Sequence, residues 1–160
     1  MIFDCLDVWL SSGKEIETWQ GVEVRQLGDG RGQGLFTVCG VREGVDLCWF
    51  EGDVLTQRDL EVTGETDYSK VIMVEPDLFL RARRGSGMSL AWFANHSCLD
   101  ANARIVVVGS GDEVCAVLRA RRDLAAGEEI VLDCRLRSLS GRKLERARWH
   151  FECLCVHCRK

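Results

Sequence analysis

The chain has one proline, one tyrosine and no surplus of positive charge: 21 Lys and Arg stand against 25 Asp and Glu, a formal net charge of -4. Without a basic field, tight binding to bare nucleic acid is not expected, and an acidic domain suits a basic protein tail instead. No apolar run approaches the roughly 18 residues of a membrane helix. The opening MIFDCLDVWLSSGKE has no positive leader and carries Asp4 and Asp7 inside its apolar stretch. A secretory signal is therefore not expected, and the nucleus or cytoplasm is. There is no internal repeat and no low-complexity segment. Nor do the glycines at 28, 30, 32 and 34 make G-x-G-x-x-G, which would need glycine at 33 or 35, and a strand rather than a helix follows them, so a dinucleotide fold is not expected.

What is present is a chain of 160 residues, 46% hydrophobic, with 16 glycines, enough for one core. Short apolar pieces between glycine-containing turns predict strands at 22–27, 35–38, 46–50, 70–74, 77–82, 103–108, 113–120 and 128–132. In SGRKLERARWHFE, Leu144, Ala147, Arg148 and Phe151 recur at helical spacing behind Ser140, which can cap. A helical turn is expected at 89–94. The chain reads as one α+β domain, mostly β: an N-terminal extension at 1–21, a central unit at 22–138, and a helix and tail at 139–160.

Nine cysteines, an odd number, without a leader point to reducing conditions and metal ligation rather than a disulfide framework. Cys153, Cys155 and Cys158 form C-x-C-x2-C in a polar tail. Closely spaced thiolates there suit zinc, which wants a fourth ligand. His150 and His157 flank the cluster. Cys5, Cys39, Cys48 and Cys115 sit in or beside apolar stretches and read as small core residues.

Three other stretches carry candidate chemistry. In GDGRGQGLFTV, Gly32 and Gly34 either shape a hairpin or let the backbone approach a ligand. In SLAWFANHSCLDANARIV, the polar knot Asn95-His96-Ser97-Cys98 is open to two readings: a buried turn satisfying backbone groups, or a Cys98–His96 nucleophilic pair, for which no orienting partner is evident. The stretch AAGEEIVLDC by itself is a strand with an acidic start.

Taken in order, G-x-G before Leu-Phe, Phe50-Glu51-Gly52, Phe-x-Asn-His-Ser-Cys, Gly-Glu-Glu-Ile and C-x-C-x2-C resemble the SET-domain family of S-adenosylmethionine-dependent protein lysine methyltransferases, over residues 22–158. The tail looks most like the post-SET segment of the SET-and-MYND subgroup, without its MYND insertion. The resemblance implies a SET fold of several small β-sheets with a zinc-bound post-SET tail. It implies that Cys98 joins Cys153, Cys155 and Cys158 on one zinc. Arg31, Gly32, Gln33 and Gly34 would line the methionine end of the cofactor, Asn95 and His96 would hold its amino and adenine groups, and Phe151 would stack on the adenine. Phe50, Phe93 and Trp149 would contribute to an aromatic channel for the target lysine. The implied partner is a protein with a target lysine, a histone tail being the family default, with no direct nucleic acid and no membrane.

The sequence departs from that family at the usual catalytic tyrosine, where Cys134 stands, and at a second common tyrosine, where Phe50 stands. Tyr68 is the lone tyrosine, and it and Cys134 are the candidate catalytic residues. Losing one positioned polar group costs about 10² to 10³ in rate. The alternative function is a SET fold that binds cofactor or peptide as an interaction module. Leu99-Asp100-Ala101-Asn102 stands where the family more often shows x-Pro-Asn, a loop variation.

Overall fold

The computed structural model describes residues 21–64, 70–83, 88–111 and 114–133. Ten strands follow one another as β1 (Val22–Gln26), β2 (Gln33–Thr37), β3 (Asp46–Phe50), β4 (Gly52–Thr56), β5 (Val71–Glu75), β6 (Leu78–Ala82), β7 (Asn95–His96), β8 (Ala103–Val108), β9 (Cys115–Ala120) and β10 (Glu129–Leu132). Among the described residues one helix, α1 (Gln57–Val62), and a 3₁₀ turn at Leu90–Phe93 accompany them. The domain is mostly β with little helix, as expected. No helix among the described residues is long and apolar enough to cross a membrane.

The strands form two sheets. The larger runs β1-β2-β10-β8-β9-β3, with β7 paired to β10, and the smaller runs β4-β6-β5. Strand β9, paired on both sides by β8 and β3, carries Ala116, Val117 and Leu118, all fully buried. A continuous apolar run is what a strand covered on both faces requires. In β3 the adjacent Leu47 and Cys48 are both buried, which strict alternation forbids. The register shift between Asp46 and Cys48 against β9 resolves this, because an extra residue turns the following side chain back inward. The single proline, Pro76, and Asp77, with φ 65°, make the turn joining β5 to β6.

The expected strands fall within one or two residues of these bounds, and three elements go beyond them. Strand β4 starts with Gly52-Asp53, which hides its pattern. The short β7 lies inside the polar knot. Helix α1 buries only Leu60, so no helical period was visible, yet its Thr56-x-x-Asp59 start is a capping box: Thr56 Oγ1 accepts from Asp59 N at 3.2 Å, and Asp59 Oδ2 accepts from Thr56 N at 2.9 Å. The expected turn at 89–94 is the 3₁₀ turn. The expected helix over 140–152 lies outside the described residues.

Of the cysteines read as small core residues, Cys48 is buried, and burial pushes its thiol up to about 12. Cys115 is half-buried and its thiol donates to the Val108 carbonyl. Cys39 corrects the expectation: it is half-buried and disulfide-bonded rather than a free core thiol. Cys5 lies outside the described residues.

Candidate active site

Strand β10 is where distant parts of the chain meet. It pairs antiparallel with β2 through Glu129 to Phe36 and Ile130 to Leu35. It pairs in parallel with β7 through Val131 to Asn95 and Leu132 to His96. The glycine-rich loop, the Asn-His knot and the Gly-Glu-Glu strand therefore become neighbours, although they span about 100 residues of sequence. Two buried polar side chains fasten this junction. Thr37 Oγ1 donates to the Ala125 carbonyl at 2.6 Å and accepts from Glu128 N at 3.0 Å. Asn102 Nδ2 donates to the Glu129 carbonyl at 2.8 Å and to Glu128 Oε1 at 3.0 Å, while its Oδ1 accepts from Val131 N at 2.9 Å.

The glycine-rich loop is a hairpin end that also faces β10. Leu27 N donates to the Gly32 carbonyl at 2.7 Å, closing the β1–β2 turn, and Gly32 takes φ 78°, a left-handed value that suits glycine. The hairpin reading of this stretch therefore holds. A Cβ on Gly34 would lie 3.1 Å from Asn95 Nδ2, 3.1 Å from Glu129 Oε1 and 3.1 Å from Leu27 Cδ1. The absent side chain keeps these groups in close approach.

Arg31 projects from the loop onto Glu129 with a two-pronged contact, Nη1 to Oε1 at 2.9 Å and Nη2 to Oε2 at 3.0 Å. Its Nε donates to Asp29 Oδ2 at 2.8 Å. The Asp29 hydrogen bond foremost, and then Glu129, raise the guanidinium above its ordinary value against the opposing effect of burial. Asn95 Nδ2 donates to the Gln33 carbonyl at 3.0 Å and to Glu129 Oε1 at 3.1 Å.

His96 turns the other way. Its Nε2 lies 3.0 Å from Cys98 Sγ, and its Nδ1 lies 3.9 Å from Asp133 Oδ1. The Asp133 carboxylate thus stands near the imidazole, beyond hydrogen-bond distance, a neighbour that the sequence did not reveal. Ser97 is buried, its N–H donating to the Leu132 carbonyl and its Oγ accepting from Asp100 N. The knot is therefore a satisfied polar turn that also presents a thiol to an imidazole.

The aromatic candidates divide. Phe50 is only 2% exposed and meets Trp92 edge-on, ring centroids 5.0 Å apart, as part of the core. Trp92 Nε1 donates to the Glu51 carbonyl at 2.8 Å, and Ser89 Oγ donates to the Trp49 carbonyl while accepting from Glu51 N. These contacts lock the 3₁₀ turn against the Phe50-Glu51-Gly52 corner. Gly52 has to be glycine, since a Cβ would sit 2.1 Å from the Arg81 carbonyl oxygen. Phe93 is half-buried, with the Lys70 ammonium 5.9 Å from its ring centre.

Tyr68, Cys134, Trp149, Phe151, Cys153, Cys155 and Cys158 lie outside the described residues. Of the four expected zinc ligands Cys98 alone is described, and among the described residues no group of three or more His, Cys, Asp or Glu is arranged to hold a metal. Two residues of the Gly-Glu-Glu-Ile motif, without a role in the sequence reading, belong to the site: Glu128 and Glu129. Their signal was the paired acid directly after Gly127, at a strand start where one carboxylate can face each neighbouring strand.

The SET domain family model matches residues 32–135. The chain belongs to the SET-domain family, whose members are generally protein lysine methyltransferases that use S-adenosylmethionine and act on protein substrates. No curated protein matches the chain. Around Gly34 a loop cation, an amide and a carboxylate stand together, where a bulkier residue would press on Asn95 and Glu129.

Proposed function

We propose that this chain is an S-adenosylmethionine-dependent protein lysine N-methyltransferase of the nucleus or cytoplasm, with a basic, histone-like tail as its substrate. The observation that supports this most is the convergence of Arg31, Gly34 and Asn95 on β10, which gathers the three family motifs into one cluster. The net charge of -4 favours a basic partner.

When bound, S-adenosylmethionine supplies a sulfonium methyl group. The chain's own residues position it and the amine. Arg31 offers a cation to a carboxylate and Asn95 offers an amide to an ammonium group. Phe93 and Trp149 provide apolar surroundings that favour the neutral, nucleophilic form of a lysine amine, with Phe50 buried in the core. In-line alignment then carries much of the barrier reduction. Cys134 and Tyr68 are the polar groups proposed at the methyl.

The tail is proposed as a post-SET segment like that of the SET-and-MYND subgroup, with Cys98, Cys153, Cys155 and Cys158 as zinc ligands. The His96 imidazole beside Cys98 Sγ suits this, because a nitrogen donor next to a ligating thiolate orients and steadies it. Such a zinc would pin Phe151 against the cofactor.

The test incubates the chain, and a Cys134→Tyr variant, with methyl-labelled S-adenosylmethionine, core histones and whole-cell protein. Label on lysine from the unaltered chain supports the enzyme. A thiol is a weaker and shorter hydrogen-bonding group than a phenol, which favours a second reading, a cofactor- or peptide-binding interaction module. Label from the tyrosine variant alone would establish that one.

A further inference from the structure

We infer that Glu129 is a positioning residue for the amino-acid end of the cofactor: it fixes which way Asn95 faces and where Arg31 docks, so that together they present an acceptor and a cation to an α-amino acid group. The inference rests on the S-adenosylmethionine reading above and adds a residue to it.

Consider Asn95 first. Its amide nitrogen faces two acceptors, the Gln33 carbonyl at 3.0 Å and Glu129 Oε1 at 3.1 Å. An amide has both donors on nitrogen and only acceptors on oxygen. With two acceptors on that side, only the nitrogen can face them, and Oδ1 points to the opposite side. A neutral or donating group at position 129 would remove half of this constraint and let the amide rotate. Glu129 thus makes Asn95 an acceptor, the polarity needed to take a hydrogen from an ammonium group.

Arg31 is held by the same carboxylate. Its two contacts with Glu129, at 2.9 and 3.0 Å, form the parallel fork in which guanidinium and carboxylate match best. The side chain reaches this position from a hairpin loop, where a long arginine otherwise samples many rotamers. Glu129 therefore anchors the amide and, together with Asp29, whose Oδ2 accepts from Arg31 Nε at 2.8 Å, the cation, and the amide oxygen and the guanidinium stand as the complement of an ammonium–carboxylate pair. Gly34 belongs to the same device. A Cβ there would press at 3.1 Å on both Asn95 Nδ2 and Glu129 Oε1, the two atoms whose hydrogen bond sets the orientation.

The experiment measures binding by calorimetry of two ligands to the full chain and to its Glu129→Gln and Gly34→Ala variants. S-adenosylhomocysteine carries the amino-acid end, and 5′-methylthioadenosine has the same nucleoside and thioether without it. Each variant is expected to weaken S-adenosylhomocysteine by about 10-fold or more, the worth of a charge-assisted hydrogen bond, and to leave 5′-methylthioadenosine within about 2-fold. Equal weakening of both ligands would reduce Glu129 to a structural role and overturn the inference. Unchanged binding of both by Glu129→Gln would overturn it too. If the unaltered chain binds neither ligand, the cofactor reading itself fails, a result distinct from either of these.

Discussion

The two sheets share one apolar core, with Leu35, Leu118 and Ile130 of the larger in the same cluster as Ile72, Val74 and Leu80 of the smaller, but they differ in what is added to it. In the larger sheet, side chains far apart in sequence are joined by polar contacts: Arg31 to Glu129, Thr37 to Ala125, Asn102 to the β10 backbone. The buried polar residues Thr37, Ser97 and Asn102 all lie on its strands or adjoining loops, and among the described residues the smaller sheet has none. The smaller sheet closes over an apolar cluster of Leu60, Val71 and Phe79, with Leu55 and Met73 packed against it. Apolar packing needs only volume and pattern, whereas polar fastening requires particular partners at particular angles. Geometry specific enough for chemistry is therefore found in the larger sheet.

The largest effect expected is in the smaller sheet. Leu60→Ala removes a side chain that is 1% exposed and should cost about 3 kcal/mol in chemical denaturation, while S-adenosylhomocysteine affinity stays within about 2-fold. A large loss of affinity would mean that the two sheets are coupled, and the contrast between them would break. Asn102→Ala should cost about 2 kcal/mol, because it strands the Val131 N–H and the Glu129 carbonyl. Here affinity should fall as well, since β10 carries Glu129. An Asn102→Ala variant with full affinity would show that the polar fastening serves stability alone.

Smaller effects sharpen the same contrast. Gly32→Ala meets no atom within 4 Å, so only its φ of 78° opposes it, and about 1 kcal/mol is expected. The smallest effect concerns pH. The hydrogen bond from Arg122, and then those from Ala125 N and Asn102, hold the Glu128 carboxyl below its ordinary value. A carboxylate depressed on folding adds stability that is fully present above the unfolded value, about 4.3, and is lost as pH falls through the folded value. The stability gap between the unaltered chain and Glu128→Gln should therefore be constant near neutrality and shrink below about pH 4.3. A gap that stays constant through that range would show that Glu128 does not titrate against its partners.

Much of the architecture was legible because it follows from local patterning. Apolar pieces between glycine turns located most of the strands, and Ser89 with its aromatic run marked the 3₁₀ turn. Helix α1 was missed because a six-residue helix with one buried side chain leaves no period to read, although its capping pair was written in Thr56 and Asp59. Cys39 was misread because an apolar neighbourhood does not distinguish a free thiol from a bonded one.

By itself the sequence determined the class of protein: the order of Gly-x-Gly, Asn-His-Ser-Cys and Gly-Glu-Glu is a one-dimensional property, and the family match follows from it. Only the tertiary structure decided which groups act together. Strand β10 pairs with segments about 36 and about 94 residues earlier in the chain, and that pairing turns Glu129 from an acid at a strand start into the partner of Arg31 and Asn95. Likewise, the carboxylate near His96 Nδ1 is that of Asp133, 37 residues on. A hydrogen bond depends on distance and angle in space, and sequence separation carries neither.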